Sequence, residues 1–221
     1  MRNPFAAVGI DADVGTGVGL PVVDDSGDNS IVVIPRANHR LTPVDIIAAA
    51  DAIKRSDVVL LQLELPIEVV EQAVTIARAA GVLVILNPAP AAPFNGPVDV
   101  IVPNESEAAA LTGLACSDQN LLEVADALRS TAGRVVLTLG SRGAAVLDAD
   151  GLDRVPGYPA ECVDSVGAGD AFCGAMAARL AAGAALRDAV RYANAAGALA
   201  VTKHGAEPSM PRQEQIDAIC R

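Results

Sequence analysis

At 221 residues, with 52% hydrophobic but only 2% aromatic residues, the chain can bury one good core made of Ala, Val, Leu and Ile. Such a composition favours helices packed on buried parallel strands. A formal net charge of -11, with no basic cluster anywhere, excludes nucleic-acid and anionic-membrane partners, because neither has an electrostatic footprint here.

Residues 1–14 carry no clear element. The runs 15–23 and 30–35 flank Asp24-Asp25-Ser26-Gly27-Asp28-Asn29 and read as a hairpin, two β-rich segments about a turn cluster. Pro21 confines its strand to an edge or a bulge. Gly15, Gly17 and Gly19 are spaced like a dinucleotide loop, but a strand follows them rather than a helix, so that reading fails. Thr42-Pro43-Val44-Asp45 starts a helix with a cap, a first-position proline and a first-turn acid. Ile46, Ile47, Ala50 and Ile53 form its expected buried stripe. Strands are predicted over 57–63, 82–86, 98–102 and 134–139. Helices are predicted over 67–80, from Asn104-Glu105-Ser106-Glu107, over 120–131 and over 186–203, with a hairpin about 148–151. This alternation predicts an α/β fold, a parallel sheet with helices on both faces. Ligands of such sheets bind beyond the carboxyl ends of the strands, which points at Gln62, Glu64, Asn87, Asn104 and the turn 138–143.

The four cysteines (Cys116, Cys162, Cys173, Cys220) form no C-x-x-C pair, which argues against zinc and disulfides and suits a reducing cytosol. No basic-then-apolar leader is visible and no apolar run approaches the ~18 residues of a membrane span. A cytoplasmic location is expected.

The stretch Val163-Asp164-Ser165-Val166-Gly167-Ala168-Gly169-Asp170-Ala171-Phe172-Cys173-Gly174 reads as a turn entering a helix. Gly167 and Gly169 let backbone amides approach a ligand, and a helix starting there aims open N–H groups and its positive dipole end at an anion. Asp170 is out of place for anion binding alone. It fits a base that takes a proton from a hydroxyl attacking a phosphate. From these residues alone, a glycine turn whose aspartate complements the helix dipole would stand ahead.

The stretch resembles the signature of the ribokinase (PfkB-type) family of carbohydrate kinases, Asp-Thr-x-Gly-Ala-Gly-Asp-x-Phe-x-Gly, with Ser165 in place of threonine, and the resemblance runs from about Gly15 to Ser209. It implies a ribokinase-like three-layer α/β/α fold with a mostly parallel sheet. Residues 1–40 would be the remnant of a β lid and connecting hairpin, and 41–221 the nucleotide-binding and phosphoryl-transfer core. The implied activity is ATP-dependent phosphorylation of a sugar's primary hydroxyl, with ribose preferred because the similarity continues through 61–64, 87–91 and 201–209. The rivals are a catalytically silent nucleotide-binding remnant and a kinase for another sugar or a nucleoside.

In that family Asp170 would be the base, with the amides of Gly167, Ala168 and Gly169 forming the anion hole. Asn104 and Glu107 read equally well as a helix cap with a first-turn acid or as an Asn-x-x-Glu motif; the resemblance favours the second, which organises Mg²⁺ and its waters. Thr138-Leu139-Gly140-Ser141-Arg142-Gly143 resembles the nucleotide turn, and Asn194 a position near adenine. Glu64 matches a sugar-contacting glutamate. Asp164, Val166, Ala200, Lys203, Gly205 and Ser209 match the loops that hold K⁺, mostly through backbone carbonyls. The resemblance also implies missing parts: an Asn-x-Asp strand and a Gly-Gly-Lys-x-x-Asn loop that hold the sugar, roughly the first quarter to third of the pattern. Weak turnover of the chain by itself and an incomplete dimer-forming lid are expected from that, and Arg36 stands where the family has glycine.

Overall fold

The computed structural model describes residues 14–23 and 29–220. Strands β1 (Val18–Val23) and β2 (Asn29–Ile34) pair antiparallel, with Val18 opposite Ile34 and Pro21 opposite Ile31. With only two strands both are edges, so Pro21 withdraws no ladder bond a third strand would need. The predicted turn at the tip lies largely outside the described residues.

A 3₁₀ turn (Arg36–Arg40) leads to α1 (Pro43–Ala48) and α2 (Ala50–Lys54). The N-terminus follows the sequence signal: Asp45 accepts from the Thr42 amide at 2.8 Å and from the Thr42 hydroxyl at 2.7 Å. The single helix expected here is interrupted at Ala49, and Ile47 is 56% exposed rather than buried. Ile46, Ala50 and Ile53 are spaced four and three apart and share one face, whereas Ile47 is turned about 100° from that stripe.

The main sheet has six strands in sequence order: β3 (Val58–Leu61), β4 (Leu83–Leu86), β5 (Val98–Ile101), β6 (Ala132–Thr138), β7 (Ala144–Asp148) and β8 (Gly151–Val155). The first four are parallel and the last two antiparallel. The parallel connections carry α3 (Ile67–Ala79), α4 (Glu105–Thr112) and α5 (Leu121–Ala127), while α6 (Ala168–Ala181), α7 (Leu186–Ala200) and α8 (Gln213–Ile219) follow the sheet.

Side-chain alternation along the strands divides the core into two layers. Val84, Leu86, Ile101, Val135, Leu137 and Leu147 pack with Val70, Val74, Ala108 and Val124 on one face. Ile85, Val100, Val102, Val136 and Val146 pack with Phe172, Met176, Val190 and Ala193 on the other. These side chains are nearly all fully buried, and each of the larger ones contributes about 1.5–3 kcal/mol. The result is the expected three-layer α/β/α arrangement, with 62–64, 104 and 138–143 at one end of the strands.

The helix expected over 186–203 stops at Ala200, where bonds to the loop before α6 take over. The Val201 carbonyl accepts the amides of Val163 (2.8 Å) and Asp164 (3.2 Å), and the Gly205 amide that would have continued the helix donates to Asp164 Oδ2 at 2.8 Å. The helix expected over 120–131 likewise tightens into a 3₁₀ turn at Leu128–Ser130 before β6 begins at Ala132, two residues earlier than expected.

Candidate active site

Gly167 caps α6 with φ 79°, a left-handed conformation that a side chain would strain. A Cβ there would also lie a tight 3.1 Å from Ala206 Cα and 3.0 Å from Met210 Cε, which adds crowding to the strain. The Ala171 amide returns to the Gly167 carbonyl at 2.9 Å. The Ala168 amide makes a long bond to the Ser165 carbonyl (3.3 Å), and those of Gly169 and Asp170 have no acceptor among the described residues. The end of α6 therefore offers open donors in an exposed first turn, which suits a phosphate.

Asp170 is exposed in that turn, and its Oδ1 accepts from Gln62 Nε2 at 3.0 Å. The sequence marked Gln62 only as a strand-end polar residue; no local signal tells that it meets Asp170. Glu64, two residues on, is exposed at the same strand end.

Asn104 ends the β5 segment, bridged to Thr138 of β6, and caps α4. Its Oδ1 accepts from the Glu107 amide (2.8 Å) and the Ser106 hydroxyl (2.7 Å), while Glu107 Oε2 accepts the Asn104 amide at 2.8 Å. The motif is a reciprocal cap, and Glu107 Oε1 has no partner among the described residues. Burial pushes the Glu107 carboxyl above the ordinary glutamate range, despite the hydrogen bond from Asn104 that pulls it down. Cys173 is buried in α6, three residues beyond Asp170. Burial pushes its thiol up to about 12, with Asp170 and Glu107 adding to the push. It is a packing residue of the core between the sheet and α6 and α7.

Strand β6 ends at Thr138 and enters a tight turn in which Leu139 is buried, Gly140 has φ 58° and Gly143 φ 90°. A Cβ on Gly143 would collide with the carbonyl of Val155 and the backbone of Pro156, and one on Gly157 would sit 2.5 Å from the Ser141 carbonyl. The turn is held from behind by Asn194, a buried residue of α7 whose Nδ2 donates to the carbonyls of Val155 (3.0 Å) and Pro156 (3.1 Å). Arg142 is committed to Glu105 and Asp118, each at 2.5 Å. What the turn presents to a ligand is therefore backbone and Ser141, not the guanidinium.

Behind the α6 turn, Asp164 joins two loops: Oδ1 accepts from the Val166 amide at 3.0 Å and Oδ2 from the Gly205 amide at 2.8 Å. Those two bonds, Gly205 first, hold its carboxyl below the usual range. Ser209 is fully buried and donates to the Ala206 carbonyl at 2.7 Å, while Ala200 is buried and its carbonyl receives the Lys203 amide. The carbonyls of Asp164, Val166, Lys203 and Gly205 accept no hydrogen bond from the described residues. A cleft of about 540 Å³ opens at the opposite end of the sheet, where Arg78, Arg129 and Arg134 are matched by Asp99, Asp148 and Asp150. It lies away from all of these groups.

A family model for the pfkB family carbohydrate kinases matches residues 4–213. The chain belongs to that family. It is 37% identical over 215 residues to a ribokinase of Staphylococcus aureus, covering 94% of this chain and 71% of that protein. It is 33% identical over 209 residues to a deoxyribokinase of Salmonella typhi, covering 91% of this chain and 68% of that one. Among solved structures, an Arabidopsis thaliana ribokinase complexed with ribose and ATP superposes with a TM-score of 0.80 at 28% identity, covering 94% of this chain and 70% of that one. The chain is a carbohydrate kinase of the ribokinase type, with the fold of that group. Among the described residues no helix is long and apolar enough to cross a membrane.

Proposed function

We propose that the chain transfers the γ-phosphoryl group of ATP to the primary hydroxyl of a sugar, D-ribose in the first place, giving ribose 5-phosphate and ADP. The observation that carries this reading is the Asp170 carboxylate in the first turn of α6, where the amides of Gly169 and of Asp170 itself are open. Asp170 takes the proton of the attacking hydroxyl, and the amides of Ala168 and Gly169 meet the negative charge that grows on the transferring group. The backbone of 138–143 receives the nucleotide, with Asn194 fixing that turn through Val155 and Pro156. Glu64 accepts a sugar hydroxyl.

Asn104 and Glu107 fit Mg²⁺ through the open Glu107 oxygen and bound waters. When bound, the metal neutralises phosphate charge. Asp164, Val166, Ala200, Lys203, Gly205 and Ser209 would hold a potassium ion, four of them (Asp164, Val166, Lys203 and Gly205) through carbonyls that accept no hydrogen bond from the described residues; when bound it would supply a fixed positive charge beside the α6 turn. On this reading residues 1–40 are the remnant of a β lid and connecting hairpin, and 41–221 the nucleotide-binding and phosphoryl-transfer core. The exposed Leu20, Val32, Val33 and Ile34 of the hairpin form the contact with a second copy.

The test is Asp170→Asn, which keeps the size and removes the basicity. It should lower sugar phosphorylation by roughly 10²–10⁴-fold while MgADP affinity, read by calorimetry, stays the same or improves slightly. A panel of ribose, deoxyribose, fructose and nucleosides, read as phosphorylated product, decides the acceptor. Full activity in the variant, or no phosphorylated product from the unsubstituted chain, overturns the reading.

A further inference from the structure

Asp170 is exposed at the start of a helix, where a carboxylate would sample several rotamers unless something holds it. Among the described residues the one side chain bonded to it is Gln62, whose Nε2 donates to Oδ1 at 3.0 Å. Gln62 is itself well placed to do so, although its side chain is exposed. The Leu61 carbonyl before it accepts the Asn87 amide at 2.9 Å, and the Leu63 amide after it donates to the Ala89 carbonyl at 2.9 Å. Leu63 is buried in the core beneath. Its backbone is thus pinned on both sides, and β3 packs against α6. An amide facing a carboxylate must present its NH₂ group, so the direction of the bond is fixed by chemistry.

We infer that Gln62 is a positioning residue for phosphoryl transfer: it holds Oδ1 of Asp170 so that Oδ2 is presented to the acceptor hydroxyl. This rests on the reading of Asp170 as the base. In the step, the hydroxyl O–H bond breaks and its proton passes to Oδ2. The hydroxyl oxygen forms a bond to the γ-phosphorus, the bond to the β–γ bridging oxygen breaks, and ADP leaves with that electron pair. Asp170 then loses the proton to water. A neutral donor suits this role. It fixes the carboxylate without donating a proton to it, and unlike a glutamate it places no second negative charge beside the base.

The experiment measures ADP release with D-ribose and saturating MgATP, together with calorimetric MgADP binding, for the unsubstituted chain, Asp170→Asn, Gln62→Leu and Gln62→Glu. Gln62→Leu should lower kcat by roughly 10²-fold, the scale of misplacing a reacting group by about an ångström, with MgADP affinity within twofold. Gln62→Glu separates positioning from a structural tie between β3 and α6. It keeps the length of the side chain but replaces the donor by an acceptor whose negative charge repels Asp170. Its kcat should therefore fall at least as far as that of Gln62→Leu, whereas a tie made only by the packing of the side chain would survive in it. The inference is overturned if Gln62→Leu keeps full kcat, if it loses MgADP affinity as much as rate, or if Gln62→Glu keeps full kcat. Full activity in Asp170→Asn, or an unsubstituted chain that yields no product, instead removes the reading of the base itself.

Discussion

Glu107 Oε2 accepts the Asn104 amide at 2.8 Å while burial raises its carboxyl above the ordinary value of 4.5. A raised folded value means the fold favours the protonated form. Its stabilising contribution is complete below the unfolded value and is lost as pH rises through the folded one. Glu107→Gln keeps an acceptor for the Asn104 amide and removes the half-buried charge, so relative to the unsubstituted chain the variant should gain stability as pH rises from 4 toward 7. Thermal melts across that range check the sign. If Glu107 also supports Mg²⁺, the same variant should need about 10–100-fold more Mg²⁺ for half-maximal turnover. A variant that melts with the unsubstituted chain and keeps its Mg²⁺ dependence leaves Glu107 as a cap alone. The Asn104-x-x-Glu107 pair was legible in the sequence because its partners are three residues apart. Gln62 was not, because its partner lies 108 residues away on another element. Arg36 lay between these cases: it stands where the resemblance expects glycine, and it has φ 44°, the only non-glycine positive φ among the described residues.

The elements themselves were legible wherever the apolar pattern decided them, as in α3 and the strands β4 to β6, and α6 was legible from its glycine turn. Their ends were not, because long-range bonds set them, and the end of α7 shows how. Asp164, from the loop before α6, takes the Gly205 amide, and Val201 turns its carbonyl to Val163 and Asp164. The loops 163–166 and 201–209 are thereby fastened to each other and to Gly167, whose open space is bounded by Ala206 and Met210. A cation held by the open carbonyls of these loops would stabilise the same arrangement, so K⁺ should raise both the melting temperature and the turnover relative to choline at equal ionic strength. Binding to the folded state alone adds about 2.7 kcal/mol at a hundredfold excess over the dissociation constant. Identical melts and rates in the two salts would count against the site. Because Asp164 has a depressed carboxyl, its own contribution is present above the unfolded value of 3.8 and is lost as pH falls through the folded one. The K⁺ effect should therefore persist across neutral pH and fade only in acid.

At the scale of the molecule, the sheet and its two packed faces follow from composition, whereas the hairpin does not pack into either layer of that core. Leu20 and Val32 pair across β1 and β2 and are 49% and 53% exposed, with Val33 at 53% and Ile34 at 42%. Val32 and Val33 point to opposite faces, so apolar surface lies on both sides of the ribbon. A two-stranded ribbon is marginal on its own in water and gains stability when such surface is covered. The net charge of -11 works against bringing two copies together, and screening weakens that repulsion within about 10 Å at 0.1 M salt. If the hairpin mediates self-association, sedimentation equilibrium should find a dimer that tightens as salt rises. Leu20→Glu and Val32→Glu, each adding a charge to the covered face, should weaken it by tenfold or more, since burying an unpaired carboxylate costs several kcal/mol. A dimer held by ion pairs would instead loosen with salt, and one that uses another surface would be indifferent to both substitutions. Either outcome would remove the hairpin from the interface while leaving the catalytic assignments of Asp170 and Gln62 untouched, because those residues lie on α6 and β3, not on the ribbon.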